Sequence, residues 1–161
     1  MIIRPATPDD AAEMAVLLNE IIRIGGTTAF QKEWTSEAMQ EFIRKLQTTG
    51  CIHIARDEET DTLLGYQSLE AYPDLPETLG IIATFAKVGN TTRGIGTALF
   101  AATRQAAPAL GFTEIDATIR ADNTGGLAYY SKMGFVDHSV AKAVPLDDGT
   151  LVNRISKRFA L

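Results

Sequence analysis

A single cysteine, Cys51, among 161 residues leaves no route to an internal disulfide. Nowhere is there an apolar run near the roughly 18–20 residues that a membrane helix requires, so no membrane partner is expected. The opening Met1–Asp10 has no basic segment running into a greasy one, and no signal peptide is read there. Base is not in excess: 15 Lys and Arg face 20 Asp and Glu, a formal charge of −5. A nucleic-acid binder would more often carry a basic field, so no nucleic-acid partner is expected. The two histidines, His53 and His138, stand alone without metal-ligand spacing, and no metal is expected. Repeats, low-complexity tracts and linkers are also missing. What is present is ordinary for a globular protein: 45% hydrophobic and 22% charged residues. Residues 1–161 read as one domain. Cys51 opens the apolar stretch Cys51–Ala55 and reads as a buried strand thiol, which fits a reducing, cytoplasmic setting.

Periodicity orders the chain as β-α-α-β-β-β-α-β-α-β-β, an α/β domain. Residues 1–5 suit a short strand. Thr7-Pro8-Asp9-Asp10 announces a helix, with a capping hydroxyl, a first-turn proline and two acids at the positive dipole end. Ala11, Met14, Ala15, Leu18 and Ile21–Ile22 recur at helical spacing until Gly25-Gly26. A second helix is capped around Thr35-Ser36, carries Met39, Phe42, Ile43 and Leu46, and ends at Thr48-Thr49-Gly50. Strands are expected over Cys51–Arg56, Leu63–Tyr72 and Thr78–Lys87. A helix follows from Thr92 to about Leu110, then a strand over Phe112–Ile119 and a short helix over Asn123–Met133. Phe135–Val144 and Leu151–Phe159 flank Asp148-Gly149, a strong hairpin signal.

The most informative segment is Thr84–Leu99, where a strand runs into a glycine-containing turn that opens a helix. Such a turn aims backbone N–H groups at one point and adds the positive end of the helix dipole, a combination that binds phosphate. A P-loop would need Gly-Lys-Ser/Thr, which is absent, and a dinucleotide fingerprint would need Gly or Ala where Leu99 stands. Taken alone, Gly94-Ile95-Gly96 fits either a phosphate cradle or a plain tight turn. A second segment, Asn123 to Phe135, places Asn at a helix start and Tyr130-Ser-Lys-Met-Gly-Phe at its end. By itself Tyr130 reads as a half-buried amphipathic residue or as an acid.

Together, in this order and separated by one strand, the two segments resemble the GCN5-related N-acetyltransferase (GNAT) superfamily. The opening Ile-Arg-Pro-Ala-Thr-Pro-Asp-Asp and the element order extend the resemblance over essentially the whole chain. Thr91–Gly96 is similar to the family's Gln/Arg-x-x-Gly-x-Gly/Ala pyrophosphate loop, and Asn123–Phe135 to its Asn-(x)6-Tyr-x-Lys-x-Gly-Phe segment. Three departures stand out: Thr91 where Gln or Arg is usual, Val88-Gly89 where a Pro-Asp pair is common, and no carboxylate within Leu79–Ala86.

The resemblance implies a mixed, mostly antiparallel sheet of about seven strands flanked by about four helices, splayed between the fourth and fifth strands. It implies acetyl-CoA as cosubstrate, its pantetheine arm along the backbone of Thr84, Phe85 and Ala86, with the Ala86 N–H aimed at the thioester carbonyl. Its pyrophosphate would sit on Thr91, Thr92, Arg93, Gly94, Ile95, Gly96 and Thr97. Asn123 would contact pantetheine or an ordered water, and Tyr130 would protonate the departing thiolate in a direct ternary-complex transfer to a primary amine. An ordinary phenol near 10 is a reasonable match for an alkyl thiolate. For the base, Glu70, Glu77, Glu114, Asp116 and a water chain all stay open. Gly26-Thr27-Thr28-Ala29-Phe30 is similar to the phosphinothricin acetyltransferase-like subgroup, which modifies amino-acid-type amines. A small-molecule amine is therefore the expected acceptor, with a protein amine or a catalytically weak acyl-CoA-binding module as alternatives. A homodimer through the C-terminal strands is also expected, because Leu151–Phe159 ends the sheet.

Overall fold

The computed structural model describes every residue from Met1 to Leu161. In chain order it forms β1 (Ile2–Pro5), α1 (Ala11–Ile24), α2 (Ser36–Thr49), β2 (Gly50–Arg56), β3 (Leu63–Glu70) and β4 (Leu79–Ala86). Then follow α3 (Ile95–Ala106), β5 (Glu114–Arg120), α4 (Thr124–Lys132), β6 (Val136–Pro145) and β7 (Leu151–Ala160). The seven strands make one sheet in the order β1-β2-β3-β4-β5-β7-β6. Thus β6, and not the Leu151–Phe159 strand expected there, ends the sheet, because β7 pairs with β5 on one side and β6 on the other. Every neighbouring pair is antiparallel except β4 and β5. That is the mixed sheet, with four helices, that the resemblance implied.

Helices cover both faces. The apolar stripes of α1 and α2 close one side through Met14, Leu18, Met39, Ile43 and Leu46, which pack on Ile52, Ile54 and Tyr66. On the other side, Phe100 of α3 and Phe135 after α4 pack on Leu69, Ile82 and Ile115. Full burial of each such side chain contributes roughly 1.5–3 kcal/mol. Thr35 caps α2 as expected, its Oγ1 accepting from the Ala38 N–H at 3.0 Å.

Several boundaries move for identifiable reasons. The helix expected from Thr92 starts at Ile95, because Gly94 sits at φ +80° and cannot belong to a right-handed helix. Its last turn, Ala107–Leu110, tightens to a 3-10 helix around Pro108. Pro8–Asp10 is likewise a separate 3-10 turn before α1. The acid at its end does more than favour a dipole. Asp10 accepts two bonds from the Arg4 guanidinium, both at 2.9 Å, and one from Arg56 at 3.1 Å, fastening β1 and β2 to the start of α1.

Candidate active site

β4 and β5 pair at only three positions, Leu79 with Glu114, Gly80 with Ile115 and Ile81 with Asp116. Beyond Ile81 each strand stays with its other neighbour: β4 follows β3 to Ala86, and β5 follows β7 to Arg120. The two therefore part, and a wedge opens toward their carboxyl ends. The Lys87 N–H donates to the Leu64 carbonyl at 2.8 Å, which sets the phase of the antiparallel ladder. In that phase Phe85 turns its N–H and C=O to Tyr66 on β3, whereas Thr84 and Ala86 turn theirs into the wedge. Of the three residues expected to offer backbone there, Phe85 is thus withdrawn. Its ring instead packs 5.1 Å from Tyr66 and 6.4 Å from Phe30 of the α1–α2 loop.

The helix α3 starts where β4 ends. Its first internal bond is Ala98 N–H to the Gly94 carbonyl, which leaves the N–H groups of Ile95, Gly96 and Thr97 without an acceptor in the protein. No side chain caps this end. Thr91, Thr92, Arg93 and Gly94 are exposed around it, and neither Arg93 nor Lys87 has an acidic partner. A side chain on Gly94 would meet open space, so its backbone can be approached closely. Gly96 differs. A Cβ there would fall 2.5 Å from the Tyr129 ring, so this glycine makes room for a tyrosine of α4.

Behind the β4 edge of the wedge lies a cluster of hydroxyls around one amide. Tyr130 is buried, its ring set against Tyr129 and Phe135 at centroid distances of 4.8 and 5.1 Å. Its Oη is 2.8 Å from Thr84 Oγ1. Gln67, fully buried on β3, donates from Nε2 to Thr84 Oγ1 at 2.8 Å and to Tyr129 Oη at 3.1 Å. Tyr129 Oη in turn donates to the Gly96 carbonyl at 2.7 Å. Burial pushes the Tyr130 phenol well above its ordinary value, and the bond with Thr84 works in the opposite direction. The ordinary phenol near 10 read from the sequence is therefore corrected: this one is a weaker acid whose oxygen needs donors. Neither Gln67 nor Tyr129 was singled out in the sequence.

The geometry matches a family. Residues 1–136 fit the model of the acetyltransferase (GNAT) domain. The chain belongs to the GNAT acetyltransferase family. No curated protein matches it. Among solved structures it is similar to the ribosomal-protein-alanine N-acetyltransferase of Brucella melitensis, with 18% identity, all of both chains covered and a TM-score of 0.90. It is also similar to YncA of Salmonella typhimurium, determined with its cofactor acetyl-CoA, at 16% identity, 100% and 94% coverage and a TM-score of 0.89. A third relative is the phosphinothricin acetyltransferase of Sinorhizobium meliloti in complex with AcCoA, at 20% identity, 99% and 88% coverage and a TM-score of 0.84.

Other expected site residues of this GNAT domain fall into different surroundings. Asn123 caps α4, its Oδ1 accepting from the Gly126 N–H at 2.9 Å, and its Nδ2 donates to the Thr27 carbonyl at 3.1 Å. It thereby ties α4 to the α1–α2 loop, and its side-chain oxygen already has a partner. Three of the four candidate base carboxylates are in ion pairs: Glu70 with Lys45, and both Glu114 and Asp116 with Arg158. Glu77 is exposed, at the closed end of the wedge. Leu79, two residues later, is five strand steps from Thr84, roughly 16 Å. No carboxylate is brought beside Tyr130.

A cavity of about 500 Å³ lies by the carboxyl end of β5, between the α1–α2 loop and the β6–β7 turn. Phe30, Lys32, Arg120, Asp147 and Asp148 line it. Arg120 is held there by Asp122 and by the Thr28 carbonyl. His53 is buried, and its desolvation favours the neutral ring, whereas His138 is exposed on β6. Burial lifts the Cys51 thiol to about 11, so it is a thiol rather than a nucleophilic thiolate at neutral pH. No helix is long and apolar enough to cross a membrane.

Proposed function

We propose that residues 1–161 act as one N-acetyltransferase domain that moves the acetyl group of acetyl-CoA to the primary amine of a small, amino-acid-like molecule. The observation that carries this reading is the β4–β5 wedge, with unpaired backbone of Thr84 and Ala86 on one wall and the free N-terminus of α3 at its mouth. Acetyl-CoA, when bound, supplies a thioester whose carbonyl carbon an amine lone pair attacks, the C–S bond breaking with its electron pair on sulfur.

The residues fit that molecule. The N–H groups of Ile95, Gly96 and Thr97 hold its pyrophosphate, with the open backbone of Gly94 and the side chains of Lys87 and Arg93 around it. Thr84 and Ala86 extend the sheet by pairing with its amide-bearing arm. The Ala86 N–H serves as the donor to the carbonyl oxygen, a group whose loss typically slows turnover by about 10²–10³. Tyr130 gives its proton to the sulfur. The amine proton leaves through water, since three candidate carboxylates are paired with cations and Glu77 is far away.

The cavity beside the wedge supports a small acceptor. Its walls carry both signs of charge, Lys32 and Arg120 against Asp147 and Asp148, which suits a zwitterion, and its volume suits a molecule of that size. Titration calorimetry with acetyl-CoA, followed by CoA-thiol release over a panel of amino acids, polyamines and peptide N-termini, tests both halves. Tight binding without turnover on any amine would favour a binding module, and turnover on peptides alone would overturn the small acceptor.

The acid assignment has its own test. Tyr130→Phe keeps the ring packing and should lower kcat by roughly 10²–10³ while acetyl-CoA affinity stays within a few-fold. Near-parental turnover in that variant would refute it. A homodimer is supported by β6, which exposes all its residues but Val144, including Val136 and Val140, beside exposed Leu151. Sedimentation at micromolar concentration should give twice the mass of one chain; a monomer throughout would remove the dimer.

A further inference from the structure

We propose that Gln67 is a positioning residue for Tyr130: acting through the Thr84 hydroxyl, its amide turns the Tyr130 proton away from Thr84 and toward the leaving sulfur. The proposal rests on the reading of Tyr130 as the group that protonates the thiolate.

Donor counting carries it. Tyr129 has one hydroxyl proton, and that proton goes to the Gly96 carbonyl, which can only accept. The Gln67 atom facing Tyr129 Oη at 3.1 Å must therefore be a donor, which fixes the amide with Nε2 toward the hydroxyls. One Nε2 proton goes to Tyr129 and the other to Thr84 Oγ1. Thr84 Oγ1 is thus an acceptor on one side, and accepting from Gln67 polarises its hydroxyl into the better donor toward Tyr130 Oη at 2.8 Å. With Thr84 donating, the Tyr130 oxygen accepts and its proton is uncommitted. When the C–S bond breaks, that proton passes to sulfur, and the phenolate left behind keeps the Thr84 bond until it is reprotonated from solvent. Without Gln67 the pair would run the other way, because a phenol is the better donor and an aliphatic hydroxyl the better acceptor.

The packing gives no independent reason for an amide. Gln67 is fully buried, and its Oε1 has no hydrogen-bond partner, an arrangement that lowers stability. A methionine of the same length would remove that penalty, with Tyr129 still on the Gly96 carbonyl and Thr84 and Tyr130 still sharing one hydrogen bond. The bond from Thr84 also opposes the effect of burial on the phenol.

The test is a double-mutant cycle of Gln67→Met and Tyr130→Phe, with thermal unfolding measured alongside. Gln67→Met should melt no lower than the parent and keep the acetyl-CoA KM within about threefold, yet lose about tenfold in kcat, the kinetic worth of one hydrogen bond. In the Tyr130→Phe background it should cost nothing further, because the proton it orients is gone. A Gln67→Met enzyme with full turnover, or one that loses as much in both backgrounds, overturns the positioning role while leaving the Tyr130 reading intact. A Tyr130→Phe enzyme with near-parental turnover removes the Tyr130 reading and this proposal with it. If Gln67→Met does not fold, Gln67→Leu removes the same amide and replaces it in the cycle with the same outcomes.

Discussion

Replacing Gly96 by alanine sets a Cβ 2.5 Å from Cε1 and 3.0 Å from Cζ of the Tyr129 ring. Ordinary carbon contact needs about 3.5 Å or more, so the ring must retreat by about 1 Å. That retreat takes its hydroxyl from 2.7 Å to beyond hydrogen-bond range of the Gly96 carbonyl. Overpacking of this kind costs about 1–3 kcal/mol, and the lost bond about 1 kcal/mol more. Against this, alanine in place of glycine in a helix returns about 1 kcal/mol. The balance is a loss of about 1–3 kcal/mol, seen as a fall in Tm of roughly 3–10 °C for a chain of this size. Thermal and urea unfolding followed by circular dichroism measure it. The decisive control is the Tyr129→Ala background, where the ring is gone. There the same Gly96→Ala change should be neutral or stabilising by up to about 1 kcal/mol, from helix propensity alone. An unchanged or raised Tm for Gly96→Ala in the parent, or an equal fall in both backgrounds, refutes the account of why this position is glycine.

Two further outcomes are expected. Burial by itself would raise the Asp10 carboxyl, but hydrogen bonds from Arg4, the Thr7 N–H and Arg56 outweigh it and hold the group well below the carboxylate range. Its folded pKa lies below its unfolded value near 3.9, so its contribution is full at neutral pH and fades as pH falls through about 4 and lower. Urea midpoints from pH 7 to pH 3 should drop more steeply in the parent than in Asp10→Asn, which starts lower; parallel profiles would exclude the linkage. At the mouth of the wedge, Thr91→Arg adds a cation to an exposed position beside Lys87 and Arg93. It should leave acetyl-CoA affinity unchanged or tighten it, by calorimetry, with the gain shrinking as salt rises; a clear loss in a folded protein would show that residue 91 does not border the pyrophosphate.

The element order was legible because each element carries its own period, such as Met14–Leu18–Ile22 in α1 or the alternation of β5. The wedge itself was not legible from periodicity. β4 and β5 look like any two strands, and their parting after Ile81 follows from which other strand each one keeps as partner. It was foreseen only through the resemblance carried by Gly94-Ile95-Gly96 and Tyr130. Those two glycines read alike in the sequence, yet their reasons differ. Gly94 is local, a positive φ at the start of a helix. Gly96 answers to Tyr129, 33 positions away.

The same distance hides the polar partners. Asp10 read as an acid at a helix start, where it favours the dipole, but one of the two cations it holds is Arg56, 46 positions later. Gln67 did leave a trace. In Leu63–Glu70 it shares a strand face with Leu69, a fully buried core residue, so an amide there is a polar group on the core side. A buried amide must find partners, and no sequence rule says whether they come from the next strand or from a helix beyond it. Here they come from both: Thr84 is 17 positions on, in the neighbouring strand, and Tyr129 is 62 positions on, in α4. Adjacent tyrosines on one short helix then divide the work by where each hydroxyl proton goes. The proton of Tyr129 is held by a helix carbonyl, whereas Tyr130 meets only the Thr84 hydroxyl, the contrast on which its proposed role as the acid rests.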